Sequence, residues 1–193
     1  MKILTICPSL NRPNMLKEMV DSFDATITTD NTLIVVDDPI TPTECFNKVL
    51  LDNSNYDFYH LTNDDVIYKT KGWDDLLSRK GKICYGNDTI QGDALCTFPM
   101  IDGDIVRCLG WLQLPTLKKY CGDVVWMELG RRLNCLKYVP DVEIEHRHFV
   151  NGKRENDDPN FWGTYGYDKE AFLEWFTTSA VFDTEAIRRY MKW

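Results

Sequence analysis

Apolar and polar residues follow one another along the chain in a pattern that predicts strands and helices in turn. Residues 2–7 form a mostly apolar run that ends at a proline, and residues 32–36 form a second, β-branched run. Between them, apolar residues at spacings of three and four over 15–23 predict an amphipathic helix. A third run, rich in aromatic residues, covers 57–61. Strands and helices in this order predict an α/β fold with parallel strands.

Capping and turn signals predict the remaining elements. Residues 41–44 have a capping-box pattern with Pro at the first helical position, which begins a helix that continues to about residue 51. A short helix is predicted at 71–77 and a fourth strand at 82–86. The final segment, 168–193, is predicted to form one or two helices that pack on the same domain.

Carboxylates follow the second and third predicted strands. Asp37 and Asp38 come after the second strand, and Asn63, Asp64 and Asp65 come after the third. Two carboxylates at the end of a buried strand repel one another and are poorly solvated, so a cation or a strong donor is expected beside them. A hard divalent cation that also binds substrate phosphates fits such a pair. An ordinary Asn-Asp-Asp turn is the alternative.

The loop after the first strand, residues 8–13, is a candidate nucleotide contact. In open α/β sheets, ligands bind at the carboxyl ends of the strands, and Arg12 is the residue in this loop that suits a phosphate or a base. A plain polar loop is the alternative interpretation. The sequence contains no GxGxxG motif, so a nicotinamide-type dinucleotide site is not expected.

Later in the chain, one carboxylate and two histidines are candidate site residues. Asp123 lies at the start of a predicted helix over 122–133, where it either caps the helix or points into a cleft. Residues 142–149 alternate, so His146 and His148 share one face of a predicted strand. Two imidazoles at a strand end are a common metal-binding arrangement, although a structural role is the alternative.

Two segments of irregular composition are predicted to lie near a ligand. Residues 97–115 mix aromatic residues with Gly and Pro, as a wall over a pocket or an apolar connection packed on the sheet would. Residues 151–160 are polar and are predicted to be a mobile loop that becomes ordered over a ligand.

Composition narrows the class of protein. The 193 residues are 44% hydrophobic, enough for one domain with a proper core. The sequence has no apolar run of membrane-spanning length and does not begin like a secretory signal, so we expect a cytoplasmic protein. Seven scattered cysteines without a CxxC pair are predicted to be reduced and mostly in the core.

The net charge of −8 argues against a broad surface that binds nucleic-acid phosphates. Two small basic patches remain candidates for contact with an anionic acceptor. One is Arg131 with Arg132, and the other is the C-terminal segment 188–193. Solvated helix faces are the alternative interpretation of both.

Together these motifs resemble those of GT-A glycosyltransferases, in particular small, inverting, family 2-like members from bacteria and viruses. The resemblance covers about residues 2–150 and depends on the order of the motifs. These motifs are the loop 8–13, Asp37-Asp38, the DxD-like Asn63-Asp64-Asp65, Gly122-Asp123 and His146. The resemblance implies an α/β, Rossmann-like GT-A fold, which is a mixed, mostly parallel sheet flanked by helices. The implied organisation is a catalytic domain at 1–150, with a flexible loop and C-terminal helices at 151–193 on the same domain.

The resemblance also implies roles for individual residues. Asp64 would lie near the ribose or the donor sugar, and Asn63 replaces the first acid of the motif. A ligand or ribose contact is therefore lost there or is made by an amide. The residues that would line the nucleoside pocket are Pro8, Ser9, Arg12 and Asp37.

The metal and the catalytic base follow from the same resemblance. Asp65 would bind Mn²⁺ or Mg²⁺ that bridges the donor diphosphate, with His146 as a second ligand and His148 as the less favoured choice. Asp123 would be the catalytic base. The implied activity is metal-dependent transfer of a sugar, with inversion, from a nucleotide-sugar to an acceptor hydroxyl.

A UDP-sugar is the favoured donor, while the acceptor stays open. A carbohydrate, a lipid-linked saccharide and a protein hydroxyl are candidates, and so is a modified DNA base if the basic patches lie beside the cleft. Two alternatives differ in activity: a nucleotidyltransferase of similar fold, and a domain that binds a sugar nucleotide or a partner protein without turnover.

Overall fold

The computed structural model describes residues 1–153, 155 and 161–193, which form a seven-stranded sheet with helices packed against it. The strands are β1 (Lys2–Pro8), β2 (Asp30–Val36), β3 (Phe58–Leu61), β4 (Val66–Tyr68), β5 (Ile83–Asn87), β6 (Met100–Asp102) and β7 (Leu136–His146). The helices are α1 (Pro13–Thr26), α2 (Pro42–Asp52), α3 (Trp73–Ser78), α4 (Gly103–Leu109), α5 (Gly122–Arg132), α6 (Phe161–Thr178) and α7 (Ala180–Met191).

The strand order in the sheet is β2-β1-β3-β6-β5-β7-β4. β1 pairs in parallel with β2 and β3, and β5 pairs in parallel with β7. β6 is antiparallel to both of its neighbours, and β4 is antiparallel to β7. Five of these seven strands (β1, β2, β3, β5 and β7) therefore run in one direction, which confirms the predicted mixed, mostly parallel α/β sheet.

Strand β1 shows why the first apolar run is continuous. Ile3 and Cys7 pack into the core on one face of the sheet with Met19 of α1, whereas Leu4 and Ile6 pack into the core on the other face. Successive side chains of a strand point to opposite faces, so a strand covered on both sides needs apolar residues throughout.

The capping box predicted for α2 is confirmed. The Thr41 hydroxyl accepts a hydrogen bond from the Glu44 backbone N–H at 3.2 Å, and the Thr41 backbone N–H donates to the Glu44 carboxylate at 2.8 Å. This exchange satisfies two backbone donors at the start of the helix. The capping box thereby fixes where α2 begins, with the N-cap three residues after Asp38.

Three parts of the fold differ from the sequence prediction. β4 and β6 were not predicted, because three residues are too few to show a period of two. The last strand begins at Leu136 and ends at His146, whereas the alternation predicted 142–149. His148 lies beyond the strand because residues 149–151 turn into a 3₁₀ helix. The segment 97–115 contains β6 and α4 in place of a purely irregular connection.

The C-terminal helices share the core of the sheet. Trp175 of α6 and Ala180 and Ile187 of α7 are buried in the same apolar cluster as Leu4 and Trp126. The division of the chain at residue 150 stays a prediction. The loop predicted over a ligand lies mostly outside the described residues, since 154 and 156–160 are not among them.

One buried carboxylate fastens α6 to the loop before α5. Asp168 is fully buried and accepts hydrogen bonds from the backbone N–H groups of Lys118, Lys119 and Tyr120, at 2.8, 2.9 and 2.7 Å. Three donors compensate the cost of burying the carboxylate. The loop that leads to Asp123 is thereby held against α6.

All seven cysteines are free, and five of them are buried. Burial raises the pKa of the Cys84 thiol to about 12, so this thiol stays protonated at neutral pH. Within the described ranges, the structure has no helix that is long and apolar enough to cross a membrane.

Candidate active site

A cavity of about 890 Å³ opens where the parallel strands end. Its lining includes Pro8 at the end of β1 and Ser9 after it, Asp64 and Asp65 after β3, and Asp88 after β5. This is the edge of the sheet at which α/β proteins bind ligands. The volume lies within the range of small-molecule and cofactor sites.

Asp64 is held by the loop after β1. Its side chain is about 3% exposed, and its two carboxylate oxygens accept hydrogen bonds from the Ser9 hydroxyl at 2.9 Å and from Arg12 Nη1 at 3.0 Å. Burial raises the pKa of Asp64, and the Arg12 charge and the two hydrogen bonds oppose that shift. Asp64 therefore ties the β1–α1 loop to the turn after β3.

Asp65 points to another part of the cavity, toward the end of β7. Antiparallel pairing of β4 with β7 places Val66 opposite His146, and the Arg147 backbone N–H donates to the Asp65 carbonyl at 2.7 Å. Asp65 Oδ1 consequently lies 3.5 Å from His146 Nε2. The two neighbouring carboxylates thus diverge, and each meets a cationic or imidazole partner of its own.

His146 is positioned by its backbone and by an aromatic neighbour. Its N–H donates to the Asp88 carbonyl at 3.0 Å, and the Phe98 ring lies edge-on at a centroid distance of 4.9 Å. His148 lines the same cavity with its ring centroid 5.0 Å from that of His146. Nδ1 of His148 accepts a hydrogen bond from the Val150 backbone N–H at 3.3 Å. His146 is therefore the histidine that the structure brings to Asp65.

Asp123 enters the cavity from the start of α5. The N-cap of α5 is Cys121, with a φ of 65°, so the interpretation of Asp123 as the N-cap is wrong. Asp123 lies one residue inside the helix, and its Oδ1 accepts a hydrogen bond from the Val124 N–H at 2.8 Å. Burial raises the pKa of Asp123, while the backbone hydrogen bonds and nearby His146 oppose the shift.

The Gly122 backbone brings α5 close to a buried amide side chain. A Cβ atom at Gly122 would lie 2.0 Å from Gln113 Nε2, which is far inside van der Waals contact. Any larger residue would push the Gln113 side chain or the start of α5 aside. The Gly122-Asp123 pair therefore fits this position for a steric reason.

The other predicted contacts are distributed as follows. Pro8, Ser9, Arg12 and Asn63 line the cavity, but their predicted ligand roles stay predictions. Of the two acids after β2, Asp38 lines the cavity and forms an ion pair with Lys48 at 3.0 Å, whereas Asp37 is exposed.

Asp88 is a residue of the cavity that was not predicted from the sequence. Its side chain is buried, and one carboxylate oxygen accepts hydrogen bonds from the backbone N–H groups of Ile90, Gln91 and Gly92. The other oxygen accepts from the Thr97 hydroxyl at 2.9 Å. The signal was present, because Asp88 follows a strand as closely as the acids after β2 and β3 do.

Asp65 and His146 are the two side chains that could hold a divalent cation, provided that a substrate supplies further ligands. Among the described residues, no group of three or more His, Cys, Asp or Glu side chains could hold a metal ion. Two ligand atoms about 2.1 Å from one ion lie about 3 Å apart at the right angle of an octahedron. The observed 3.5 Å between Asp65 Oδ1 and His146 Nε2 is close to that separation. Phosphate oxygens and water would supply the other ligands.

The basic patches lie away from the cavity. Arg188 Nη2 donates to the Arg132 carbonyl at 2.8 Å, so the two patches meet. Arg131 and Arg132 end the 11-residue helix α5, about 12–14 Å along the helix from Asp123 near its start. Neither arginine of α5, nor any residue of 188–193, is among the lining residues.

Comparison with known proteins relates this architecture to solved structures. No protein-family model matches the chain, and no curated protein matches it either. S. aureus TarS 1–349 in complex with UDP superposes with a TM-score of 0.57 at 12% identity, over 75% of this chain and 59% of that one. The chain therefore spans about three-fifths of that TarS fragment.

Two further structures are similar over more of their own length. The catalytic domain of Drosophila β1,4-galactosyltransferase 7, in complex with xylobiose, gives a TM-score of 0.61 at 12% identity, over 81% of this chain and 75% of that one. The mannosyltransferase PcManGT from Pyrobaculum calidifontis, in complex with GDP-Man and Mn²⁺, gives a TM-score of 0.55 at 10% identity. The match covers 99% of this chain and 74% of that one. These similarities show that the chain has the GT-A fold, as the sequence resemblance predicted.

Replacement of Arg12 tests how the buried Asp64 charge is balanced. We expect Arg12→Met to lower the free energy of unfolding by about 1–3 kcal/mol, because the Asp64 carboxylate loses a charged hydrogen-bond donor. Urea denaturation measures this change. Asp64→Asn in the Arg12→Met background should recover part of the loss, since the neutral amide costs less to bury.

Arg79→Met is the matched control. Arg79 forms an exposed ion pair with Asp75 at 2.6 Å on the surface of α3, and such pairs contribute little stability. Equal losses for Arg12→Met and Arg79→Met would contradict the role given to Arg12.

Proposed function

We propose that the protein is a glycosyltransferase that uses a nucleotide-sugar donor, with a UDP-sugar as the favoured donor. The observation that carries the proposal is the position of Arg12, Asp64, Asp65, His146 and Asp123 around one cavity at the carboxyl ends of the parallel strands. The GT-A fold supports it, because similar structures were solved with UDP and with GDP-Man.

The donor side of the cavity comprises the loop after β1 and the turn after β3. We assign the nucleoside to Pro8, Ser9 and Arg12, and the donor sugar or ribose to Asn63 and Asp64. Asp65 and His146 would hold Mn²⁺ or Mg²⁺ together with the donor diphosphate. When bound, the ion stabilises the negative charge that develops on the departing diphosphate. A mannosyltransferase of this fold was solved with Mn²⁺, which supports that assignment.

Asp123 is the proposed catalytic base on the acceptor side. The acceptor hydroxyl attacks the anomeric carbon as the bond from that carbon to the diphosphate oxygen breaks, and the nucleoside diphosphate leaves with the electron pair. Asp123 takes the hydroxyl proton. Attack from the face opposite the leaving group gives inversion. His146 is close enough to Asp123 to act on its charge, which supports a base next to the proposed metal site.

Two other activities are less well supported. A nucleotidyltransferase would need cations near β1 to hold a triphosphate, but Arg12 is bonded to Asp64. A domain that only binds a sugar nucleotide would not require a half-buried carboxylate, such as Asp123, on the acceptor side. Hydrolysis of the donor, compared between the unaltered protein and Asp123→Asn, distinguishes binding from turnover.

Nucleotide binding to the donor side is the first functional test. We expect UDP with Mn²⁺ to raise the melting temperature, because a ligand that binds only the folded state stabilises it. Asp65→Ala should abolish the metal-dependent part of the shift. Differential scanning fluorimetry with UDP, GDP and CDP, each with and without Mn²⁺, measures both effects.

Asp75→Ala is the matched control for that experiment, since Asp75 forms an exposed ion pair on α3. It should keep the full nucleotide shift. If no nucleotide changes the melting temperature under any condition, the proposed function is wrong.

Asp123→Asn tests the catalytic base. We expect the transfer rate to fall by about 10²- to 10⁴-fold while the nucleotide shift is kept, because an amide cannot accept the proton. In the unaltered protein the rate should decrease as pH falls through the pKa of Asp123. Burial raises this pKa, so the acid limb should lie above the value of about 3.9 for a free Asp. The rate of transfer as a function of pH measures the limb.

Asp104→Asn is the control, because Asp104 follows the first glycine of α4 as Asp123 follows that of α5. Asp104 is half exposed and lies outside the cavity lining, so this variant should keep both the rate and the acid limb. Full activity in Asp123→Asn would exclude Asp123 as the base.

A further inference from the structure

Four aromatic side chains form one wall of the cavity, here called the aromatic wall: Tyr120, Phe149, Phe161 and Tyr165. Phe161 lies at its centre, with ring centroids 5.1 Å from Tyr120, 5.4 Å from Phe149 and 6.0 Å from Tyr165. The rings of Phe161 and Tyr165 are parallel to within 3°. These two residues are four positions apart on α6 and so share one helix face.

The aromatic wall adjoins the proposed base. Tyr120 is three residues before Asp123, in the loop whose backbone N–H groups bind the buried Asp168 carboxylate. Asp168 is itself on α6, so one carboxylate holds the loop and the helix together. The rings and the start of α5 are thereby fixed beside one another.

The charges around the cavity are mostly negative. Its lining acids are Asp38, Asp64, Asp65, Asp88 and Asp123. Among the described residues, the lining Lys and Arg side chains are Arg12, which is bonded to Asp64, and Lys119. A polyanion such as nucleic acid needs clustered cations along its backbone, so this lining disfavours it. The basic patches lie at the other end of α5, so they do not offset the negative charge of the cavity lining.

We propose that the aromatic wall is the acceptor-binding site and that it takes an uncharged saccharide. This inference rests on the proposed function, since it identifies the class of acceptor. One face of a pyranose ring presents C–H groups, which pack on the faces of Tyr and Phe rings. Its edge presents hydroxyls, one of which reaches Asp123 while the ring lies on the wall. Apolar walls with a few placed polar groups are typical of small-molecule sites.

Tyr165→Ala and Tyr167→Ala form a matched pair for testing the site. Both residues lie on α6 and are 38% and 48% exposed, so both variants should fold. Tyr165 lines the cavity, whereas Tyr167 is outside the lining and contacts Lys118, whose Nζ lies 4.2 Å from the ring centroid.

The probes are methyl glycosides of glucose, galactose, mannose and N-acetylglucosamine, their β-linked disaccharides, and a short single-stranded DNA. Saturation-transfer NMR in the presence of UDP and diamagnetic Mg²⁺ reports contact of aromatic protons with the sugar C–H face and needs no turnover. We expect at least one saccharide to bind and the DNA not to bind. Tyr165→Ala should weaken saccharide binding by about threefold to tenfold, because one aromatic contact is lost. Tyr167→Ala should leave saccharide binding unchanged.

The inference is overturned if no saccharide in the panel binds, if Tyr165→Ala and Tyr167→Ala bind saccharide equally well, or if the DNA alone binds. The nucleotide-dependent shift in melting temperature, measured on the same preparations, separates this outcome from failure of the proposed function. A nucleotide shift without saccharide binding contradicts the acceptor class alone. Saccharide binding at Tyr165 without any nucleotide shift contradicts the donor and supports the wall as a saccharide site.

Discussion

Two adjacent, buried carboxylates lie in the turn after strand β3, and the arrangement of the site follows from how each of their charges is balanced. Asp64 is 3% exposed and Asp65 is 4% exposed, so neither charge is solvated well. Asp64 is compensated from the β1–α1 loop by Arg12 and Ser9, whereas Asp65 faces His146 across the pairing of β4 with β7. The pair thus joins three separate parts of the chain at one edge of the sheet. Asp64 is bound by Ser9 and Arg12, whereas Asp65 lies 3.5 Å from His146, and these two are the residues that we propose hold a cation together with the substrate.

The cavity has two sides that differ in chemistry. The donor side is built from short loops after β1 and β3, where carboxylates, an arginine and an imidazole converge. The other side is built from the start of α5 and from α6, which present one carboxylate beside several aromatic rings. Asp168 couples these two helices through backbone N–H groups. Helix α6 is therefore a structural part of the cavity, and its position depends on a buried charge as well as on apolar packing.

Sequence patterns predicted the elements that are long or buried on both faces, and they failed where local signals are short. β1 and the capping box of α2 were predicted because several consecutive residues carry the pattern. β4 and β6, each of three residues, show no period that could be recognised. The predicted start of β7 was wrong because the alternation of apolar and polar residues is interrupted before Val142. The acids after β3 were identified from their position alone, whereas the partnership of Asp65 with His146 depends on strand pairing across 81 positions. Phe161 and Tyr165 entered the site through the packing of α6, which no local pattern encodes.

We propose that the two carboxylates divide their roles: Asp64 holds the β1–α1 loop, and Asp65 binds a cation together with His146 and the donor. A crystal structure with UDP and Mn²⁺, recorded at a wavelength where manganese scatters anomalously, tests it most directly. We expect one manganese peak about 2.1 Å from a carboxylate oxygen of Asp65 and from His146 Nε2, with the UDP diphosphate on its other side. Asp64 should keep its hydrogen bonds to Ser9 and Arg12. A manganese ion bound by Asp64, or a UDP molecule bound elsewhere on the protein, would contradict the account.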